Sequence, residues 1–481
     1  MNVRGRTMEL VGRTKELALL HGALKKKESQ FIAIFGRRRV GKTYLVREAF
    51  RNDFCFCHTG YYNQPRQNQI DAFYKSLRKA GLSPDYERPV NWSDAFDLLG
   101  TVIESRKESK KVLFLDEISW MDTPRSDFVT AVEHFWNAFA SARDDVVLII
   151  CSSATSWVID HVLHSKGGFH NRLSLSIHLQ PFTLSEVEEY VNYLGVSLNR
   201  QQILEGYMVL GGVPYYWSHL EKGMSINQYI DYLFFQRGAL LKDEFPYLFN
   251  SLFCKPETYV SIINALAQKR KGLTRGEILK AVGLQSGASF THKLEELENC
   301  DFIRIFPSQG KRKETLYQLI DPFILFYYRF IEHRSMDPHF WMHQSNMPET
   351  NSWKGYAFEL VCLLHVDEMK WKLGISSVLT KVYSFLIPGD LEQGIQGSQI
   401  DLVLERSDRI TNLFEMKYSH QEYLVTKEID ESLRRKRSDF QRGTKTKNAI
   451  QVTLVTPYGV IPNSYSNNLD SVLTADDLFH R

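Results

Sequence analysis

Two short stretches of this chain carry side chains whose types and spacing suit phosphate chemistry. The first, GRRRVGKTY over residues 36–44, sets four residues between two glycines and follows the second with lysine and threonine. Glycines let backbone N–H groups turn inward onto phosphate oxygens, and a helix opening there adds its positive end. In that pattern Gly36, Arg37, Arg38, Arg39, Val40 and Gly41 form a cradle, with Tyr44 just beyond it. Lys42 reaches the outer phosphates of a nucleotide and the Thr43 hydroxyl ligates Mg²⁺. The metal needs a carboxylate too, at the end of a neighbouring strand. KKVLFLDE over residues 110–117 offers Asp116 for the metal and Glu117 as the general base for an attacking water. DVVLIICSSATSW over 145–157 ends in small hydroxyl residues, so Ser152 or Ser153 can sense the terminal phosphate. Arg172 precedes a further strand. It could stabilise transferred charge in the next subunit of a homo-oligomer, or be a plain surface arginine.

The second stretch, IDLVLERSDRITNLFEMK over 400–417, alternates as a hairpin. Ile400, Leu402 and Leu404 share one face; Asp401, Val403 and Glu405 share the other. A turn centred on Asp408 pairs 405 with 411, 403 with 413 and 401 with 415, the register that aligns the apolar faces. It sets Asp401 opposite Glu415, and opposed like charges are destabilising unless a cation compensates. A divalent cation held by both carboxylates does so, with Lys417 orienting a nucleophile at a phosphodiester. The plainer reading is a solvated hairpin face.

These residues need rigid elements behind them. FIAIF at 31–35, VLFL at 112–115 and VVLII at 146–150 read as strands buried on both faces, the mark of a parallel sheet. TLSEVEEY at 183–190 opens a helix. Residues 255–320 read as helix, helix, helix and two strands, the third helix starting from a serine N-cap in SGASFTHKLEELENC. That order resembles a winged helix. Lys311, Arg312 and Lys313 in its turn suit a phosphate backbone, whereas Glu295, Glu296 and Glu298 on its third helix do not. A packing spacer is an equal reading.

Length bounds the architecture. At 481 residues the chain needs several domains, and a net charge of +3 confines any nucleic-acid contact to a local patch. The start lacks an apolar leader and no run approaches bilayer length, so a cytoplasmic protein without membrane contact is expected. Six scattered cysteines without a CxxC pair read as buried thiols.

LVGRTKEL (10–17), the glycine cradle, LFLDE, the serine-ended strand, HNR (170–172) and GGVPYYW (211–217) together resemble the archaeal-type AAA+ ATPases related to the STAND clade, over roughly residues 8–250. The resemblance implies ATP as ligand and Val11, Gly12 and Arg13 near its adenine. Gly212 and Pro214 would belong to a small helical lid. That family often has Gly-Ser where this chain has Ser152-Ser153. The D-x13-E-x-K spacing of Asp401, Glu415 and Lys417 resembles the PD-(D/E)xK nuclease superfamily over about 350–481, and implies an additional acid, Glu359, on an upstream helix. No proline precedes Asp401. The basic stretch 433–447 would face nucleic acid, DNA foremost. The expected fold is α/β: a P-loop AAA+ core (1–180), a helical lid (181–250), a winged helix and connector (251–335) and a restriction-endonuclease-like domain (336–481). The expected activity is ATP hydrolysis coupled to a Mg-dependent nuclease-like domain. The alternative is an ATP-dependent switch or scaffold whose last domain only binds.

Overall fold

The computed structural model describes residues 10–51, 53–165, 167–169, 171–253, 255–269, 271–310, 314–332, 337–387 and 398–480. Lys311, Arg312 and Lys313, expected to form a basic turn, lie outside them. The chain divides into two compact units, residues 1–181 with 250–254, and residues 182–249 with 255–481. The segments assigned to lid, winged helix and nuclease-like domain thus fall together in the second unit.

The first unit is built on five parallel strands: β1 (Gln30–Phe35), β2 (Phe56–Thr59), β3 (Lys111–Asp116), β4 (Val146–Ser152) and β5 (Leu175–His178). Their order across the sheet is β2-β3-β4-β1-β5. Every residue of β1, β3 and β4 is buried. Helices cover both faces, which explains why these strands read as continuous apolar runs rather than alternating ones. The strand of Asp116 is therefore not a direct neighbour of β1; β4 lies between them and pairs with both. Sequence alone gives no strand order, and the inserted strand brings the serines into the site.

In the second unit the helix Leu184–Tyr193 starts from a capping box, Thr183 with Glu186. The N–H of Phe182 donates to the Gly212 carbonyl (2.6 Å), and the Tyr207 hydroxyl donates to the Phe182 carbonyl (2.8 Å). Further on, helices Glu257–Ala267, Arg275–Val282 and Ala288–Asn299 precede β7 (Ile303–Gly310) and β8 (Glu314–Leu319), with β6 (Leu273–Thr274) pairing to β8. The third helix does not start from a serine: Gly287 holds its N-cap position without a side-chain cap.

Strands β9 (Thr380–Ile387), β10 (Ser398–Arg406), β11 (Ile410–Met416), β12 (Ala449–Val455) and β13 (Ser471–Leu473) continue the same sheet. The junction is a parallel pairing of Ser308, Gln309 and Gly310 with Ser384, Phe385 and Leu386. Residues expected in separate domains thus share one eight-stranded sheet. In the hairpin, Glu405 pairs with Thr411 and Val403 with Leu413, the expected register.

The lid segment is tied to the same body. Tyr418, next to Lys417, donates to Glu205 on helix Arg200–Leu210 (3.0 Å), and the buried Lys354 ammonium lies 3.7 Å from the same carboxylate. The Leu184 N–H donates to Nε2 of buried His365 (3.0 Å), whose Nδ1 faces the Val361 carbonyl at 2.8 Å. Burial pushes that imidazole down to about 4, so it stays neutral and able to accept. A Cβ on Gly212 would collide with the Phe182 carbonyl carbon and oxygen. Gly212→Ala should therefore destabilise the second unit by about 3 kcal/mol or more, read as a lower urea midpoint.

Candidate functional site

The carboxyl ends of β1, β3 and β4 bring the phosphate-binding residues together. Gly36 leaves β1 with φ 142, and a Cβ there would strike the Leu179 carbonyl, so the turn admits glycine. Arg39 and Gly41 also take positive φ before helix Lys42–Ala49 begins. Successive turns of this kind aim N–H groups into one concavity. Lys42 is buried, and its ammonium donates to the Gly36 carbonyl (2.8 Å), the Arg37 carbonyl (3.0 Å) and Ser153 Oγ (3.2 Å). The loop thus holds the lysine across the cradle's own carbonyls.

The Thr43 hydroxyl donates to both oxygens of Asp116, at 3.1 and 3.0 Å. Burial foremost, and then the Glu117 charge, push the Asp116 carboxyl up to about 6. A desolvated acid beside a hydroxyl is a hard-oxygen pair of the kind Mg²⁺ takes along with water and phosphate oxygens. The residues therefore fit the ion. Glu117 sits in the left-handed region (φ 46), and Ser153 holds both of its oxygens: the N–H donates to Oε2 (2.9 Å) and Oγ to Oε1 (2.5 Å). Ser152 turns away to Ser119 (2.9 Å) and caps the Ala154 N–H. Of the two serines left open by the sequence, Ser153 is the one between Lys42 and Glu117.

Other expected residues are placed less centrally. The Arg13 guanidinium is buried and donates to the Gln180 carbonyl (2.6 Å) and the Val40 carbonyl (3.4 Å), clamping the cradle from behind. Gly12 is buried before it and Val11 half-buried. Arg37 is buried; Arg38, Arg39 and Tyr44 are half-buried. Arg172 is exposed and has no side-chain partner among the described residues.

The acids of the second unit are not gathered. Among the described residues no three His, Cys, Asp or Glu side chains come together to hold a metal, so Glu359, Asp401 and Glu415 do not form the expected cluster. Two causes are visible. The pairing of β10 with β9 shifts register between Ile400 and Val403, a bulge that inserts one residue. Ile400 and Val403, which alternation puts on opposite faces, therefore share one core cluster with Leu413 and Phe440. Asp401 accepts instead from the Gln399 amide at 2.5 Å. Meanwhile Glu415 is neutralised by lysines, Lys436 at 2.5 Å and Lys417 at 2.8 Å. Although burial opposes them, Lys436 and then Lys417 hold Glu415 below its ordinary value. Against its own burial, Lys417 is lifted by Glu415 foremost, with Glu359 adding. The basic stretch is partly spent as well, since Arg434 pairs with Asp430 (2.9 Å) and Arg442 with Asp439 (2.5 Å). Lys436 was missed as a partner because its spacing from Glu415 carries no sequence signal.

Residues 10–220 match the family model of an ATPase domain predominantly from Archaea. This segment is an archaeal-type ATPase domain with a parallel-sheet P-loop core. An uncharacterized protein of Methanocaldococcus jannaschii is 23% identical over 432 residues, covering 89% of this chain and 91% of its own. Among solved structures, the Walker-type ATPase PABY2304 of Pyrococcus abyssi is 17% identical with a TM-score of 0.45, covering 68% of this chain and 99% of its own. The ORC2 protein of Aeropyrum pernix is 12% identical with a TM-score of 0.42, covering 76% and 98%. Both likenesses are loose. No described helix is long and apolar enough to cross a membrane, and the five described cysteines form no disulfide among the described residues.

The raised Asp116 carboxyl has a consequence for stability. Its folded state binds a proton more tightly than the unfolded chain does. Its contribution is therefore present below about pH 4 and lost as pH rises through about 6. In nucleotide-free, metal-free protein, wild type should lose on the order of 2–3 kcal/mol relative to Asp116→Asn between pH 4 and pH 7. Denaturant titrations of the two proteins across that range check the sign.

Proposed function

We propose that the first unit binds and hydrolyses ATP with Mg²⁺, and that its nucleotide state is passed to a second unit that binds a partner rather than cutting nucleic acid. The observation that carries the hydrolytic reading is the Lys42–Ser153–Glu117 chain at the carboxyl edge of β4. Phosphates in the cradle draw the Lys42 ammonium off the loop carbonyls. Thr43 and Asp116 would hold Mg²⁺, which would offset charge on the phosphate oxygens. With Lys42 withdrawn, Ser153 is released to the terminal phosphate. One Glu117 oxygen is then free to accept a proton from the attacking water. Arg172, exposed and without a side-chain partner among the described residues, would serve a neighbouring copy in a homo-oligomer.

The binding-only reading of the second unit is supported by the Gln399 amide on Asp401 and by the two lysines on Glu415. Nucleic acid, DNA foremost, stays the candidate partner, through a winged-helix-like segment and the unpaired part of the 433–447 stretch. Lys42→Ala should lose ATP binding. Glu117→Gln should retain ATP and turn over about 10²-fold more slowly or less, measured by phosphate release and by retained labelled nucleotide. Wild-type turnover in Glu117→Gln would overturn the assignment. Labelled single- and double-stranded DNA and RNA with Mg²⁺ or Mn²⁺ should remain intact with wild type, as with Asp401→Ala. Cleavage lost only in Asp401→Ala would restore the nuclease reading.

A further inference from the structure

The seam between the β6–β8 segment and β9–β10 in the second unit encloses a cavity of about 340 Å³ that the ATP site does not use. Besides the Lys269–Glu277 ion pair (2.6 Å), its lining holds two unlike charges that do not meet. On one side stands Arg304, half-buried, its guanidinium 4.2 Å over the Phe306 ring and its Nε donating to Gln318 (2.7 Å). Its two terminal nitrogens have no hydrogen-bond partner among the described residues. On the other side stands Asp401, brought to the cavity at the β10 bulge, with one oxygen taken by Gln399. Gln399 Oε1 is itself buried without a partner. Arg304 and Asp401 sense each other electrostatically, yet among the described residues they form no ion pair. Half-buried charges and an orphaned acceptor around an open volume are costly unless something bridges them.

We propose that this cavity binds a guanine base. Guanine carries acceptors, O6 and N7, on one edge, and a guanidinium donates to that pair bidentately. Its N1–H and N2 amino donors lie on the adjoining edge, where a carboxylate and an amide oxygen accept. Arg304 matches the first edge, and the Asp401 oxygen that Gln399 leaves open matches the second. Phe306 fixes the guanidinium, and Leu316 adds apolar lining. Lys271 is exposed and unpartnered among the described residues, placing a cation at the rim for the attached phosphate. A zwitterionic amino acid would satisfy both charges but leave the rim lysine idle. Adenine presents a donor, N6, where guanine has O6, and so sets donor against donor at Arg304. The base can come from a free nucleotide or from an unpaired guanine in a strand.

The test uses the full-length chain with its P-loop site saturated by ADP, titrated calorimetrically with GMP, AMP and the strands d(TTGTT) and d(TTATT). Guanine ligands are expected to bind at least 10-fold tighter than their adenine counterparts. That preference should vanish in Asp401→Asn, which keeps the oxygen facing Gln399, and binding should be lost in Arg304→Gln. Near-UV circular dichroism and the unfolding temperature check both folds. GMP binding alone assigns the free nucleotide, and d(TTGTT) binding alone the strand. No binding by either, equal adenine binding, or guanine binding undisturbed in a folded Asp401→Asn protein overturns the proposal.

Discussion

The structure turns on a buried acid at the end of a parallel strand. Asp116 is desolvated, tied to Thr43, and pushed up by burial and by Glu117. A carboxylate in that position is tolerable only beside compensating groups. The Lys42 ammonium is one, and the Thr43 hydroxyl is another. Lys42 can be there because the Gly36 turn brings the chain back over the strand end. β4, inserted between β1 and β3, then supplies Ser153 to join Lys42 to Glu117. Each of these placements follows from the need to satisfy charge in a dry sheet edge.

The second unit shows a different economy of charge. Its helices near residues 184–210 are fastened to the body carrying the hairpin, through Tyr418, Glu205, Lys354 and His365. Tyr418 follows directly on Lys417. A displacement of helix Arg200–Leu210 therefore bears on the end of the hairpin rather than dissipating in a flexible joint. Glu415 there is already satisfied by two lysines, which suits a recognition surface better than a metal centre.

Much of the first unit was legible in the sequence because its chemistry is local. The cradle and the two acids after VLFL each lie within a few consecutive residues, as does the helix start at Thr183 in the second unit. The hairpin register was legible too, since turn position and apolar faces agree. What escaped was anything set by long-range pairing. Strand order put β4 between β1 and β3 without leaving a trace in residue spacing. One inserted residue at the β10 bulge, opposite β9, put Ile400 and Val403 in one core cluster, which strict alternation cannot show. Lys436, some twenty residues from Glu415, took up its charge, and Arg13 proved a clamp on the Val40 and Gln180 carbonyls. The serine expected to cap the third helix of the 255–320 segment lost its place to Gly287.

The most direct test of this account is amide hydrogen exchange on Glu117→Gln protein, compared nucleotide-free and with Mg²⁺ and ATP. Protection is expected to change in residues 36–43 and 112–117 and also in residues 200–210 and 410–418. Changes confined to the first unit, with the second exchanging identically in both states, would contradict the claim that nucleotide state is passed on.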